Sequence, residues 1–187
     1  MKRTIIGAIV GGLLIFIWQS LSWTILDCHR PANKYTPNEA AILQALAANL
    51  PEEGGYMVPG MPEHATKEER QKIMEQANGK PWASIQYHTS NQGDTAAMIM
   101  NMVRLFLSNV IMVWLLMWIF NRLKLPSFGT IFAGSVFVGL ITFINQPYTG
   151  HIWFDFFDIW AYLIDALVSW ALCGLWLGYL YNRKPRS

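Results

Sequence analysis

At 187 residues, 53% of them hydrophobic and only 14% charged, the chain is too apolar for an ordinary soluble domain and too short for several independent cores. Its net charge of +2 makes no case for nucleic acid as a partner. The apolar excess falls into four blocks, Thr4 to Leu26, Thr95 to Phe120, Phe128 to Ile144 and Phe156 to Tyr181. Each is near or above the roughly 20 residues that a helix rising about 1.5 Å per residue needs to cross about 30 Å of hydrocarbon. The expected fold class is therefore an α-helical membrane protein: four transmembrane helices with a small extracytoplasmic α+β cap between helices 1 and 2. Residues 1–27 supply helix 1, 28–94 the cap, and 95–187 a three-helix region with helices at about 95–120, 128–145 and 156–181.

Helix 1 follows Lys2 and Arg3, as a secretory signal would. Its apolar stretch is longer than a typical signal core, however, and runs into Trp23-Thr24-Ile25-Leu26-Asp27-Cys28 with no small-residue cleavage site. Leu26 and Asp27 also argue against lipidation of Cys28. Gly7 and Gly11 stand at G-x-x-x-G spacing, which lets a second helix approach closely. Helix 3 repeats the theme with Gly129, Ala133, Gly134, Ser135 and Gly139, so both helices are candidates for the packed interior.

Residues 28–94 have ordinary soluble composition. Thr36-Pro37-Asn38-Glu39 predicts a capped helix to about Asn49, with Ile42, Leu43, Leu46 and Leu50 as its apolar stripe. Thr66-Lys67-Glu68-Glu69 predicts a second, with Ile73, Met74 and Ala77 facing inward, stopped at Asn78-Gly79-Lys80-Pro81. Tyr56 to Val58 and Trp82 to His88 are expected to be extended. An αβαβ cap with so few apolar side chains needs a membrane surface or a partner to pack against.

Lys and Arg in short flanks are retained on the cytoplasmic side. Lys2 and Arg3, Arg122 and Lys124, and Arg183, Lys184 and Arg186 share one side if there are four crossings, without any Asp or Glu. The localisation that follows is the bacterial inner membrane, multi-pass, with both termini cytoplasmic. The bilayer, together with other membrane subunits or a second copy, is the expected partner, and no cofactor is implied.

Ionisable groups inside a span cost about 2.5 to 3.5 kcal/mol each at the helix centre and call for a reason. Arg104 in helix 2 and Asp165 in helix 4 lie at similar depth, each about nine residues from the outer end, roughly 14 Å along the axis. Asn101, Arg104 and Ser108 share one face of helix 2, and Asp158, Tyr162, Asp165 and Ser169 one face of helix 4. The expectation is a polar seam between helices 2 and 4 closed by an Arg104–Asp165 pair. It acts either as structural glue in an accessory, assembly or interaction subunit, or as the proton or ligand site of a small transporter.

A third pattern is soft-metal-like. Met98, Met100 and Met102, with Cys28, His29, His64 and His88, offer sulfur and imidazole on one side, a set that suits copper(I). Met98 and Met102 alone share a helix face, and Met is also a common gap-filler. Cys28, His29, Met98 and Met102 are thus weak metal candidates. No G-x-S-x-G, H-E-x-x-H, Walker loop, C-x-x-C or G-x-G-x-x-G occurs. His151, beside Trp153 and Asp155, reads as part of an interfacial aromatic belt with Trp23 and Trp160.

Overall fold

The computed structural model describes residues 2–91 and 93–183. Lys184 and Arg186, counted above in the C-terminal basic flank, lie outside them. Four helices are long and apolar enough to cross a membrane: Lys2–Thr24, Thr95–Phe120, Phe128–Trp153 and Ile159–Asn182. A small two-stranded sheet accompanies them. The chain divides into two compact units, residues 1–35 with 94–187, and residues 36–93.

In the first unit, α1 (Lys2–Thr24) packs against both α4 (Thr95–Phe120) and α7 (Ile159–Asn182), and α5 (Phe128–Phe143) packs against α7. Small residues permit this. Gly7, Gly11 and Gly12 are buried, and a Cβ on Gly12 would fall 2.8 Å from the Val110 backbone. The expected close approach at the G-x-x-x-G of helix 1 is therefore present, with Gly7 against Met117 and Gly11 against Val113 and Cys173. In helix 3, Gly134 meets Phe120 and Gly139 meets Trp170, whereas Gly129 is exposed and a Cβ there would touch only Ser127 Oγ, at 3.8 Å. Ile15, Val113, Met117, Ile131, Cys173 and Leu177 form the centre of the apolar core.

At one end of this unit the Arg3 guanidinium lies over the Tyr181 ring, Tyr181 donates to Asn121 Oδ1 at 2.6 Å, and Asn121 reaches Thr4. This is called the Arg3 end below. The helices run from it to the opposite, His29 end.

Helix 3 is longer than expected. The apolar block predicts an end near residue 145, and Pro147, which lacks an N–H and whose ring would strike a carbonyl of the preceding turn, does not extend an ordinary α-helix. Instead Ile144–Tyr148 widens into a π turn that accommodates Pro147, and the helix resumes as α6 (Thr149–Trp153). Thr149 Oγ1 donates to Ile144 O at 2.7 Å, adding to the bond that carbonyl already takes from the Thr149 N–H. Helix 1 ends two residues earlier than expected, and helix 4 starts at Ile159 rather than Phe156.

The second unit runs α2 (Glu39–Asn49), β1 (Gly54–Val58), α3 (Lys67–Ala77), β2 (Ala83–Tyr87), with β1 and β2 antiparallel and Tyr56 opposite Ile85. Thr66 and Glu69 form the expected reciprocal cap: the Glu69 N–H donates to Thr66 Oγ1 and the Thr66 N–H to Glu69 Oε2. Thr36 does not cap α2. Asn38 occupies that position without a side-chain bond, and Thr36 Oγ1 accepts only from the Asn38 N–H. Glu53 Oε1 accepts from both the N–H and the hydroxyl of Thr89, at 2.8 and 2.7 Å, and ties the open end of the hairpin.

Candidate functional site

The site begins where α1 ends. Ile25 and Leu26 N–H groups both return to Leu21 O, and the Cys28 N–H returns to Ser22 O. Asp27 takes a φ of +52, a left-handed conformation that Asp tolerates better than most residues. The chain thereby reverses and lays the His29 imidazole flat on Trp23, ring centroids 3.9 Å apart and planes within 8°. His29 is left 1% exposed.

The remaining groups come mainly from α7. Asp158 occupies its N-cap position, where a carboxylate ordinarily accepts an N–H of the first turn. It makes no such bond. Its Oδ2 lies 2.7 Å from His29 Nδ1 instead. Asp165, about two turns along the same face, places Oδ2 3.1 Å from His29 Nε2 and accepts the Trp18 indole N–H on Oδ1 at 3.0 Å. The Tyr162 ring stands edge-on to the imidazole with centroids 4.8 Å apart.

An imidazole can donate from both nitrogens only when it carries two protons; otherwise the second proton resides on a carboxyl. The imidazole of His29 thus bridges the two carboxyl groups, one on each ring nitrogen. With the ring doubly protonated and both carboxylates ionised, one negative charge is left over. The ring separates the carboxylates, and among the described residues no group of three or more His, Cys, Asp or Glu is placed to hold a metal ion.

The expected Arg104–Asp165 pair is not formed. Arg104, Asn101 and Ser108 lie on an exposed face of α4, and Ser108 spends its hydroxyl on the Arg104 carbonyl. The physical reason is helix order. At the level of Asp165, α1 stands between α4 and α7: Trp18 reaches Asp165 on one side, while Gln19 on the other accepts from Asn109 Nδ2 at 2.9 Å. Asn109 is fully buried, and its Oδ1 has no hydrogen-bond partner. The helix 4 face is as expected for Asp158, Tyr162 and Asp165. Ser169 is buried there too but donates to the Asp165 carbonyl.

Of the weak metal candidates, His29 is engaged in the triad, Cys28 is a half-buried free thiol, and Met98 and Met102 are 60% and 44% exposed. His151 accepts the Phe156 N–H on Nδ1 at 2.8 Å, which leaves its proton on Nε2 when neutral. Asp155 is exposed. Sequence reasoning missed His29 as the centre of the site. The available signal was a histidine just beyond an apolar helix, a few residues after Trp23, in a chain with two carboxylates on one later helix face.

Beside the triad lies a cavity of about 380 Å³, whose lining includes Gln19, Trp23, Leu105, Gln146, Tyr162 and Asp165. Asp165 is the triad member that opens toward it: its side chain is 13% exposed, against 2% for His29 and 4% for Asp158. No family model matches the chain, no curated protein is similar to it, and no solved structure matches it.

Proposed function

We propose that this protein is a multi-pass accessory or interaction subunit of the bacterial inner membrane, with both termini cytoplasmic and residues 28–94 extracytoplasmic, whose outer domain completes its core only on a partner. One observation carries the reading: in residues 36–93 none of the described side chains is buried. The α2 stripe leaves Leu43 61% and Ile42 47% exposed, and Met74 on α3 is 57% exposed. A domain of this size needs a buried apolar core, a disulfide or a partner to persist. The basic residues Lys2, Arg3 and Arg122 on the Arg3 side support the orientation.

Site-specific photo-crosslinking tests this in intact membranes. A photoreactive residue at Leu43 or Met74 is expected to give one discrete adduct, with another membrane protein or with a second copy. A smear or no adduct, with α2 and α3 amides equally protected from exchange in purified protein and in membranes, would refute it. A reporter fused at the C-terminus is expected to be active in the cytoplasm, and one inserted near Glu63 only outside.

A second reading, a proton-linked transporter, draws support from the enclosed chain of hydrogen bonds Asp158–His29–Asp165. It is weakened by the buried apolar layer of Ile15, Val113, Cys173 and Leu177 between that centre and the Arg3 end. A conduction path wants polar groups on both sides of the midplane. Liposomes containing the protein are therefore expected to show no proton flux above empty liposomes under an imposed gradient. Flux abolished by Asp165→Asn would reverse the ranking.

A further inference from the structure

The cavity beside Asp165 has a shape that the triad alone does not require. Near the Arg3 end α4 and α5 touch, since a Cβ on Gly134 would fall 2.9 Å from the Phe120 ring. Toward the His29 end the two helices contribute opposite walls: Leu105 and Met112 from α4, Thr142 and Phe143 from α5, then Gln146 from the π turn. Helices α1 and α7 form the back. The open side lies between α4 and α5, where Leu105, Thr142 and Gln146 are exposed. That surface belongs to helices apolar enough to cross a membrane, so the opening faces lipid.

Its polar lining holds a single formal charge among neutral amides and hydroxyls. Asp165 is the one carboxyl group among the residues that form the cavity; its Oδ1 accepts the Trp18 indole N–H, its Oδ2 lies 3.1 Å from His29 Nε2, and both oxygens have lone pairs to spare. Gln19 gives its oxygen to Asn109, which fixes the amide, and Gln146 adds a second amide. No Lys or Arg lines the cavity. Apolar Leu105, Met112 and Phe143 complete a pocket with one carboxyl group at its back and a greasy mouth.

We propose that this cavity binds an amphiphile with a primary-ammonium head on an apolar chain, admitted sideways from the bilayer between α4 and α5, with the head on Asp165. An amine-headed membrane lipid is the occupant that this geometry favours. Charge complementarity carries the choice: the two triad carboxylates outnumber the single imidazole, so a cationic donor relieves the excess and an anionic head adds to it. The apolar walls take the chain, as in other ligand sites where a few polar groups fix orientation in a hydrophobic lining.

Purified full-length protein in a neutral maltoside detergent is titrated with dodecylammonium, dodecanol and dodecanoate, read by native mass spectrometry and by melting temperature. The expected result is a saturable one-to-one dodecylammonium adduct with a raised melting temperature. Dodecanol is expected to bind about tenfold or more weakly for lack of the charge-assisted bond, and dodecanoate not at all. Asp165→Asn should weaken dodecylammonium by about tenfold or more. Because that change also touches the triad, Leu105→Trp, which fills the mouth and leaves the triad intact, should abolish the adduct in a protein that melts like the parent. Equal binding of all three probes, or adducts that survive Leu105→Trp, would overturn the proposal. Phosphatidylethanolamine in mixed micelles should displace dodecylammonium and phosphatidylglycerol should not; failure of the ethanolamine lipid to compete would overturn a bilayer lipid as the occupant.

Discussion

His29 and Asp158, 129 residues apart in the chain, meet at 2.7 Å between Nδ1 and Oδ2 with both side chains almost fully enclosed. The contact joins the turn after α1 to the N-cap of α7. Removing one partner of a buried ion pair strands the other and typically costs about 3 to 5 kcal/mol, while replacing both with apolar groups recovers much of the loss. His29→Leu and Asp158→Leu are each expected to lower the melting temperature in detergent. The double variant should be less destabilised than the sum of the two by more than about 1 kcal/mol. Strict additivity would mean that the pair contributes no coupling.

Arg104 is expected to behave in the opposite way. It is exposed and makes no ion pair among the described residues. Arg104→Leu should therefore change stability by no more than about 0.5 kcal/mol, the range of surface substitutions, and raise membrane yield if anything. Asp165→Asn, which disturbs bonds to both His29 and Trp18, should lower it. Comparing the two by fluorescence-detected size-exclusion chromatography separates these expectations. Equal losses would restore the Arg104–Asp165 pairing.

Close helix approach gives a third expectation. A side chain at Gly12 must displace the backbone of Val110, which cannot swing away. Gly12→Val is expected to cost about 1 to 3 kcal/mol by overpacking or to separate α1 from α4. Gly129→Ala, where a Cβ makes an ordinary 3.8 Å contact with Ser127 Oγ, should be neutral or slightly stabilising by helix propensity. Thermal melts of the two variants side by side provide the check.

Acid should loosen the second unit. The Glu69 carboxyl is held below its ordinary value of 4.5, first by the Thr66 N–H and then by the Thr66 hydroxyl. Glu53 is lowered likewise, first by the Thr89 hydroxyl and then by its N–H. A depressed folded-state value means that the unfolded form binds protons more readily. The stabilisation is thus complete above about pH 4.5 and fades as pH falls through the lower folded value. Hydrogen exchange of α3 and of the hairpin should accelerate in that window, and Thr66→Ala should remove the dependence from α3.

The four spans were legible because apolar length alone reports them, and Thr95–Phe120 emerges with the expected bounds. Thr66 was legible because a reciprocal cap is local chemistry over four residues. The clustering of Asp158, Tyr162 and Asp165 was legible for the same reason, since helical spacing places them on one face. Their partner was not. Whether Arg104 or His29 meets Asp165 depends on which helix stands beside α7, a long-range relation on which spacing within each helix is silent. The reversal that delivers His29 turns on Asp27 adopting a left-handed backbone, and Asp has no strong local obligation to do so. Thr36 misled because Pro37 and Glu39 complete the pattern of a cap, while the N-cap falls two residues later at Asn38 and α2 starts at Glu39.

The π turn at Ile144–Tyr148 makes the third span, in effect, an α-helix with one residue inserted. A turn closed by bonds from i to i+5 holds one residue more than a turn closed from i to i+4, so everything beyond it is shifted in phase by roughly 100°. His151, which anchors the start of the connection to α7 by accepting the Phe156 N–H, points where it does because of that shift. Deleting one residue of the turn, such as exposed Asn145, would restore the α phase at a cost of only about 1.5 Å in length, and would rotate His151 away from Phe156. The connection into Asp158 is therefore indexed by a helical defect on a different span.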